Sequence, residues 1–322
     1  MNKYISIFNQ VIKNVELNYI DRDFLKVSWP GLKQKYMDIV KNIDNDERFD
    51  ETMAELIDHQ LTLSHTAFIN PKKREYIEQQ HSNETAPDFL KISSRIIPEY
   101  AYIKIPTFTL PLFSMDILLP LLKKSSSSNI VIFDLRLNTG GSGSSVGDLL
   151  GGFIEADKPY LYCRMNDWKE IGDPKIVYPL LEQENINHAL EIANICKNRY
   201  QLFHTSKMPK FKIDKPVIIL IDQRAYSCGE VFPQCMKEYK RATIVGNKTA
   251  GAVVGARDDF DCGHGYSICL PFVELITSQG YNIEGNKVHP DIEYSFKTSD
   301  LEQLTHDEIV DIIKVVLRRN DE

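Results

Sequence analysis

Apolar residues at the front of the chain recur at three- and four-residue steps: Ile5, Phe8, Ile12 and Val15, then Leu32, Tyr36, Ile39 and Ile43, then Phe49, Met53, Leu56 and Ile57. That spacing places each set on one helical face, so three helices are predicted. Trp29-Pro30 and Asn45-Asp46 punctuate between them. The last helix runs into LTLSHTAF, where Ser64 and His65 are neighbours. Residues 1–66 are therefore expected to form a small helical N-terminal domain. Residues 67–98 are polar, carry Asn70-Pro71 and Ala86-Pro87, and read as a connector.

From residue 99 to residue 322 the pattern changes to strands alternating with helices. Ala101–Phe108 alternates like a strand, and Leu112–Leu122 has helical spacing. Short apolar runs at Ile130–Leu135, Pro159–Met165, Pro216–Asp222, Ala242–Gly246 and Ser267–Thr277 read as strands, with a hairpin around Asp261–Gly265. Helices are expected around Ile186–Tyr200 and Asp307–Arg319. This alternation predicts an α/β core with helices packed on a sheet.

Two strand-to-helix turns carry candidate chemistry. In AYSCGEVF, the stretch after the strand PVIILID, Ser227 stands where a helix opens. Unpaired backbone N–H groups and the positive helix end lie beside such a serine. It suits a nucleophile whose developing oxyanion finds donors in place, and equally a plain N-cap. In NIVIFDLRLNTGGSGSSVGDLL, a strand ends in a loop holding Gly140, Gly141 and Gly143. Glycines there let N–H groups approach an anion. The spacing is neither a dinucleotide fingerprint nor a P-loop, which leaves an oxyanion hole or a tight packing turn.

The 322 residues, 43% hydrophobic and 26% charged, are ordinary for a globular enzyme. A net charge of −7, with no basic run longer than Lys72–Arg74, argues against nucleic-acid binding. The N-terminus lacks a continuous apolar region and no stretch is long enough for a bilayer, so no membrane association is expected and a cytoplasmic location is, unless a leader was trimmed. The six cysteines are scattered without a CxxC pair and read as free thiols. Cys262-x-His264 lacks the second ligand pair a zinc site needs.

LSHT, DLRLNTGG, AYSCGE, IVGNKTAG and IEGNKVHPDI occur in this order along the chain. The ordered set resembles the tail-specific and tricorn-type serine peptidases, whose core belongs to the ClpP/crotonase superfamily. The resemblance implies a ClpP/crotonase-like α/β core behind the helical front end, and a serine peptidase acting on peptides or unfolded protein segments. It implies Ser227 as nucleophile, His65 as general base, and Ser64 with Glu284 supporting the imidazole. The N–H of Cys228, with that of Gly140 or Gly141, would form the oxyanion hole. No metal or cofactor is implied, and self-association into a homo-oligomer is compatible with it.

The chain also departs from that pattern. The branch with a Ser–Lys dyad keeps a Lys where Ala252 follows TAG here, which points to the His-containing tetrad. Leu63 stands where many relatives keep an Asp, and Asp58-His59 offers a competing, off-register His. Too few residues separate His65 from Tyr100 for a PDZ domain, so specificity is expected from the cleft, with residues 155–215 a candidate contributor. Cys228 could be a nucleophile at a helix N-terminus, but reads as filler with its side chain away from the cleft. The rival readings are an inactive ligand-binding protein on the same scaffold and, less well matched, an acyl-CoA enzyme of crotonase type.

Overall fold

The computed structural model describes residues 2–82, 87–165 and 201–320. The expected helix at Ile186–Tyr200 lies outside them. Two sheets organise the described residues. One contains β2 (Ser93–Ile96), β3 (Tyr100–Lys104), β4 (Ile130–Asp134), β7 (Val217–Ile221), β8 (Thr243–Gly246) and β11 (Ile292–Glu293), in the order β11-β8-β7-β4-β3-β2. All neighbouring pairs are parallel except β2 with β3. The near-continuous apolar runs follow from this: β3 and β7 are buried at every position because helices cover both faces.

Alternate residues divide between those faces. Ile103, Phe133, Ile219 and Ile221 join the cluster that contains Leu118, Val146 and Phe232. These come from α6 (Met115–Lys124), α7 (Gly143–Leu150) and α8 (Cys228–Glu238). Tyr102, Ile132, Ile218 and Leu220 face Ile309, Ile312 and Val316 of α9 (His306–Asn320). Phe232 is fully buried, with ring centroids 5.8 Å from Phe133 and 6.2 Å from Phe108. Truncating such a phenylalanine costs about 3–5 kcal/mol, so this packing seats α8 firmly on the sheet.

Helices α1 (Lys3–Asn18), α2 (Arg22–Val27), α3 (Trp29–Val40) and α4 (Asp46–Ala54) form the front end, followed by a π-helical turn at Glu55–His59. Their apolar faces share one cluster with Tyr266, Ile268 and Leu270. Those partners belong to a long hairpin of β9 (Val254–Gly263) and β10 (Tyr266–Thr277) in the second sheet. The hairpin turns through His264 (φ 55°) and Gly265 (φ 82°), the left-handed pair that a two-residue turn demands.

β10 also pairs with β1 (Ala67–Ile69) and β5 (Pro159–Met165), and β5 with β6 (Gln201–His204). The connector thus opens with a strand and then holds α5 (Pro71–Ser82). No helix among the described residues is long and apolar enough to cross a membrane.

Candidate active site

The carboxyl ends of adjacent parallel strands gather the site. The glycine loop follows β4, the Ser227 turn follows β7, and the loop Asn247–Val253 follows β8. Loops leaving the same end of neighbouring parallel strands converge, which is why open α/β sheets carry their sites there.

Ser227 has φ 57° and ψ −126° immediately before α8. A non-glycine residue held in so sparse a region stores about 1–3 kcal/mol and must be pinned by its surroundings. Its N–H donates to Ala252 O at 2.9 Å and to Glu230 Oε2 at 3.2 Å. Gly140 passes so close that a Cβ there would lie 2.6 Å from Ser227 Cβ. Glycine is the residue that allows this approach.

Two backbone N–H groups beside Ser227 carry no hydrogen bond among the described residues, those of Cys228 and Gly141. The Gly140 carbonyl accepts from Phe108 N (2.6 Å) and Thr107 Oγ1 (3.1 Å). In a trans peptide the next N–H points the opposite way, so the Gly141 N–H is directed away from Phe108. The Gly140 N–H is already donated to Asn138 Oδ1 at 2.9 Å. Of the two glycines named from sequence, Gly141 therefore keeps a donor to offer. Asn138 was not singled out from sequence; its amide also donates to Ile105 O, and its carbonyl accepts the Tyr226 N–H at 3.1 Å.

The Cys228 thiol is buried, donates to Gly141 O at 3.1 Å, and is pushed up to about 12 chiefly by that burial. Such a thiol is neutral at physiological pH and ties the serine turn to the glycine loop. Cys262 is likewise buried, packed among the front helices and pushed up to about 12 by burial.

His65 reaches the same region from the front of the chain. The backbone turns at His65 (φ 59°) just before β1. Ser64 Oγ donates to Glu284 Oε2 at 2.9 Å and lies 2.8 Å from His65 Nδ1. With its proton committed to the carboxylate, the hydroxyl accepts from Nδ1–H, and Nε2 is left as the bare, basic nitrogen. Glu284 also accepts the N–H groups of Ser64 (2.7 Å) and Val253 (2.6 Å). Burial holds the His65 pKa below the ordinary 6.5, while the nearby Glu284 charge opposes that shift.

The His65 ring meets Tyr226, the residue before Ser227, edge to face at a centroid separation of 6.4 Å. No hydrogen bond among the described residues joins the ring to the Ser227 hydroxyl. Catalytic hydrogen bonds commonly tighten only with substrate in place. The competing His59 is exposed on the π-helical turn. Phe49, Met53, Leu56 and Ile57 pack inward, while Asp58 accepts the Phe68 N–H at 2.5 Å and so serves β1.

Comparison with known proteins identifies the family. The model of peptidase family S41 matches residues 99–294, and that of the tricorn protease C1 domain matches residues 2–58. A Chlamydia trachomatis protein is 32% identical over 110 residues, covering 33% of this chain and 18% of its own length. A tricorn protease homolog of Saccharolobus solfataricus is 32% identical over 94 residues, covering 29% of this chain and 9% of that protein. A CtpA-like serine protease of Staphylococcus haemolyticus is 24% identical over 164 residues, 50% of this chain and 26% of that one. The matched stretches thus span between 9% and 26% of these curated relatives.

Among solved structures, mature CPAF complexed with lactacystin superposes with TM-score 0.65 at 14% identity, covering 99% of both chains. The tricorn protease superposes with TM-score 0.62 at 14% identity, covering 98% of this chain and 37% of that one. At these identities the likeness speaks to the fold. With most of the chain matched by its model, this protein belongs to peptidase family S41.

Proposed function

We propose that the chain is a serine peptidase that cleaves peptides or unfolded protein segments through an acyl-enzyme. The observation that carries this reading is the hydrogen-bonded series Glu284–Ser64–His65 ending beside the strained Ser227 turn. In the first step His65 Nε2 takes the Ser227 proton as Oγ attacks the scissile carbonyl carbon. The negative charge that develops on the carbonyl oxygen is met by the N–H groups of Cys228 and Gly141, which need no reorganisation to receive it. The imidazolium is stabilised through Ser64 by the Glu284 carboxylate. It then protonates the leaving amine, the C–N bond breaks, and an acyl-Ser227 ester remains. Water, deprotonated by His65, attacks the ester and releases the second product with the Ser227 hydroxyl restored.

Ala252 occupies the position where a dyad lysine would stand, and its N–H is engaged by Glu230 Oε2 at 2.8 Å, which favours His65 as base. Hydrolysis of an unstructured protein such as casein by the wild type, and its loss in Ser227→Ala with an unchanged melting temperature, is the expected result. Equal turnover by the variant overturns the assignment.

The unclosed Ser227–His65 pair favours a second reading, a catalytically silent ligand- or peptide-binding protein on the same scaffold. That reading predicts no turnover by the wild type and a stable complex with peptide.

A further inference from the structure

Glu230 is fully buried, and its carboxylate receives four donors. Oε1 accepts Thr249 Oγ1 (2.5 Å) and the Gly251 N–H (2.7 Å), while Oε2 accepts the Ala252 N–H (2.8 Å) and the Ser227 N–H (3.2 Å). The next residue along, Val253, donates its N–H to Glu284, the carboxylate that holds Ser64. Residues 249–253 are therefore strapped between two carboxylates. One grips the nucleophile's backbone and the other holds the group that orients the imidazole. Ala252 O closes the strap by accepting the Ser227 N–H.

We infer that Glu230 is a positioning residue that couples the two halves of the site. Through the 249–253 strap it holds the Ser227 turn in its left-handed conformation and keeps Glu284, and so Ser64 and His65, in register with it. This rests on the peptidase reading above. Two physical points support it. A buried carboxylate is costly unless its oxygens are satisfied, and here backbone donors from two loops do so. Every one of these donors comes from the Ser227 turn or the 249–253 strap, and an apolar side chain at position 230 would leave all four without this acceptor. Thr249 completes the arrangement: its hydroxyl donates to Glu230 and accepts the Val288 N–H at 2.7 Å, anchoring the strap at its far end.

The test uses Glu230→Gln, Thr249→Val and Thr249→Ser in the full chain. Three readouts are taken for each: the second-order rate of fluorophosphonate labelling at Ser227, kcat and KM on an unstructured protein substrate, and the melting temperature. Glutamine keeps the shape of Glu230 but turns an N–H pair toward donors. It is expected to slow labelling and kcat by about 100-fold, the loss that a displacement near 1 Å produces, with KM within about threefold. Thr249→Val is expected to slow both by about 10-fold or more, and Thr249→Ser, which restores the hydroxyl, to recover to within about threefold of wild type.

A folded Glu230→Gln or Thr249→Val that labels at the wild-type rate overturns the inference. So does a Thr249→Ser variant as slow as Thr249→Val, because the loss then follows the methyl group. If Glu230→Gln fails to fold, the threonine pair decides. Wild type that forms no Ser227 adduct overturns the peptidase reading itself. A wild-type adduct with unaffected threonine variants overturns only the coupling.

Discussion

The Ser64 hydroxyl lies 2.9 Å from the Glu284 carboxylate although 220 residues separate them in sequence. The contact joins the helical front end to the loop that follows β10. It also fixes which nitrogen of His65 carries the proton. Replacing Glu284 with Gln leaves one acceptor oxygen for the Ser64 hydroxyl and the Val253 N–H but removes the charge and presents an amide N–H toward the Ser64 N–H. We expect kcat/KM to fall by about 10²-fold. Because the Glu284 charge pulls the His65 pKa upward against the effect of burial, its loss should move the acid limb of the kcat/KM profile to lower pH. A pH–rate series on both proteins checks the direction.

His65 itself should be indispensable and His59 should not. His65→Ala is expected to cost several orders of magnitude in kcat, as loss of a general base typically does. His59 is exposed one turn before the site, and His59→Ala should turn over within a factor of about two of wild type. The same burial that keeps His65 neutral has a stability consequence. Unfolded His65 takes its proton near 6.5 and the folded residue only at lower pH. Its contribution to stability is therefore intact above that value and is lost as pH falls through the folded pKa. Chemical denaturation of wild type and His65→Ala between pH 5 and 8 should show a smaller acid-side loss in the variant.

Gly140 is fixed by contact as much as by conformation. With φ 74°, and a Cβ that would sit 2.6 Å from Ser227 Cβ and 3.0 Å from its Oγ, Gly140→Ala should displace the nucleophile. We expect labelling of Ser227 to slow by about 100-fold or more. Gly143→Ala, where a Cβ meets nothing within 4 Å, should label like wild type. Paired labelling rates measure the contrast.

How far the chain could be read without coordinates depends on the element. The runs VIILI and IVIFD, each ending in a turn, announced buried strands, and the glycines and Ser227 marked where those strands stop. The partner of the front helices could not be read in this way. Their apolar faces were clear, but periodicity does not say what covers them, and the cover is a hairpin from the other end of the chain, with Tyr266, Ile268 and Leu270. Likewise AYIKIPTF alternates to Phe108, yet β3 ends at Lys104, because Pro106 has no N–H to continue a ladder. The choice between Gly140 and Gly141 turned on which way one peptide faces, and Asn138 decided it. Glu230 stood in plain view three residues after Ser227, but only the convergence of Thr249, Gly251 and Ala252 on its carboxylate gives it a task.

Cys228 should behave as a buried structural thiol. With the thiol pushed up to about 12 and donating to Gly141 O, native protein at pH 8 should resist iodoacetamide at this position, and Cys228→Ala should retain its Ser227 adduct. Peptide mapping after alkylation in native and denaturing buffer reads this directly.

The most direct measurement is the intact mass of the wild-type protein after treatment with a fluorophosphonate, followed by peptide mapping of the adduct. A single phosphonyl group on the peptide carrying Ser227, absent from Ser227→Ala and strongly slowed in His65→Ala, is the predicted result. No adduct under conditions that label a known serine hydrolase, or an adduct on another residue, would contradict it and leave a shared scaffold without the chemistry.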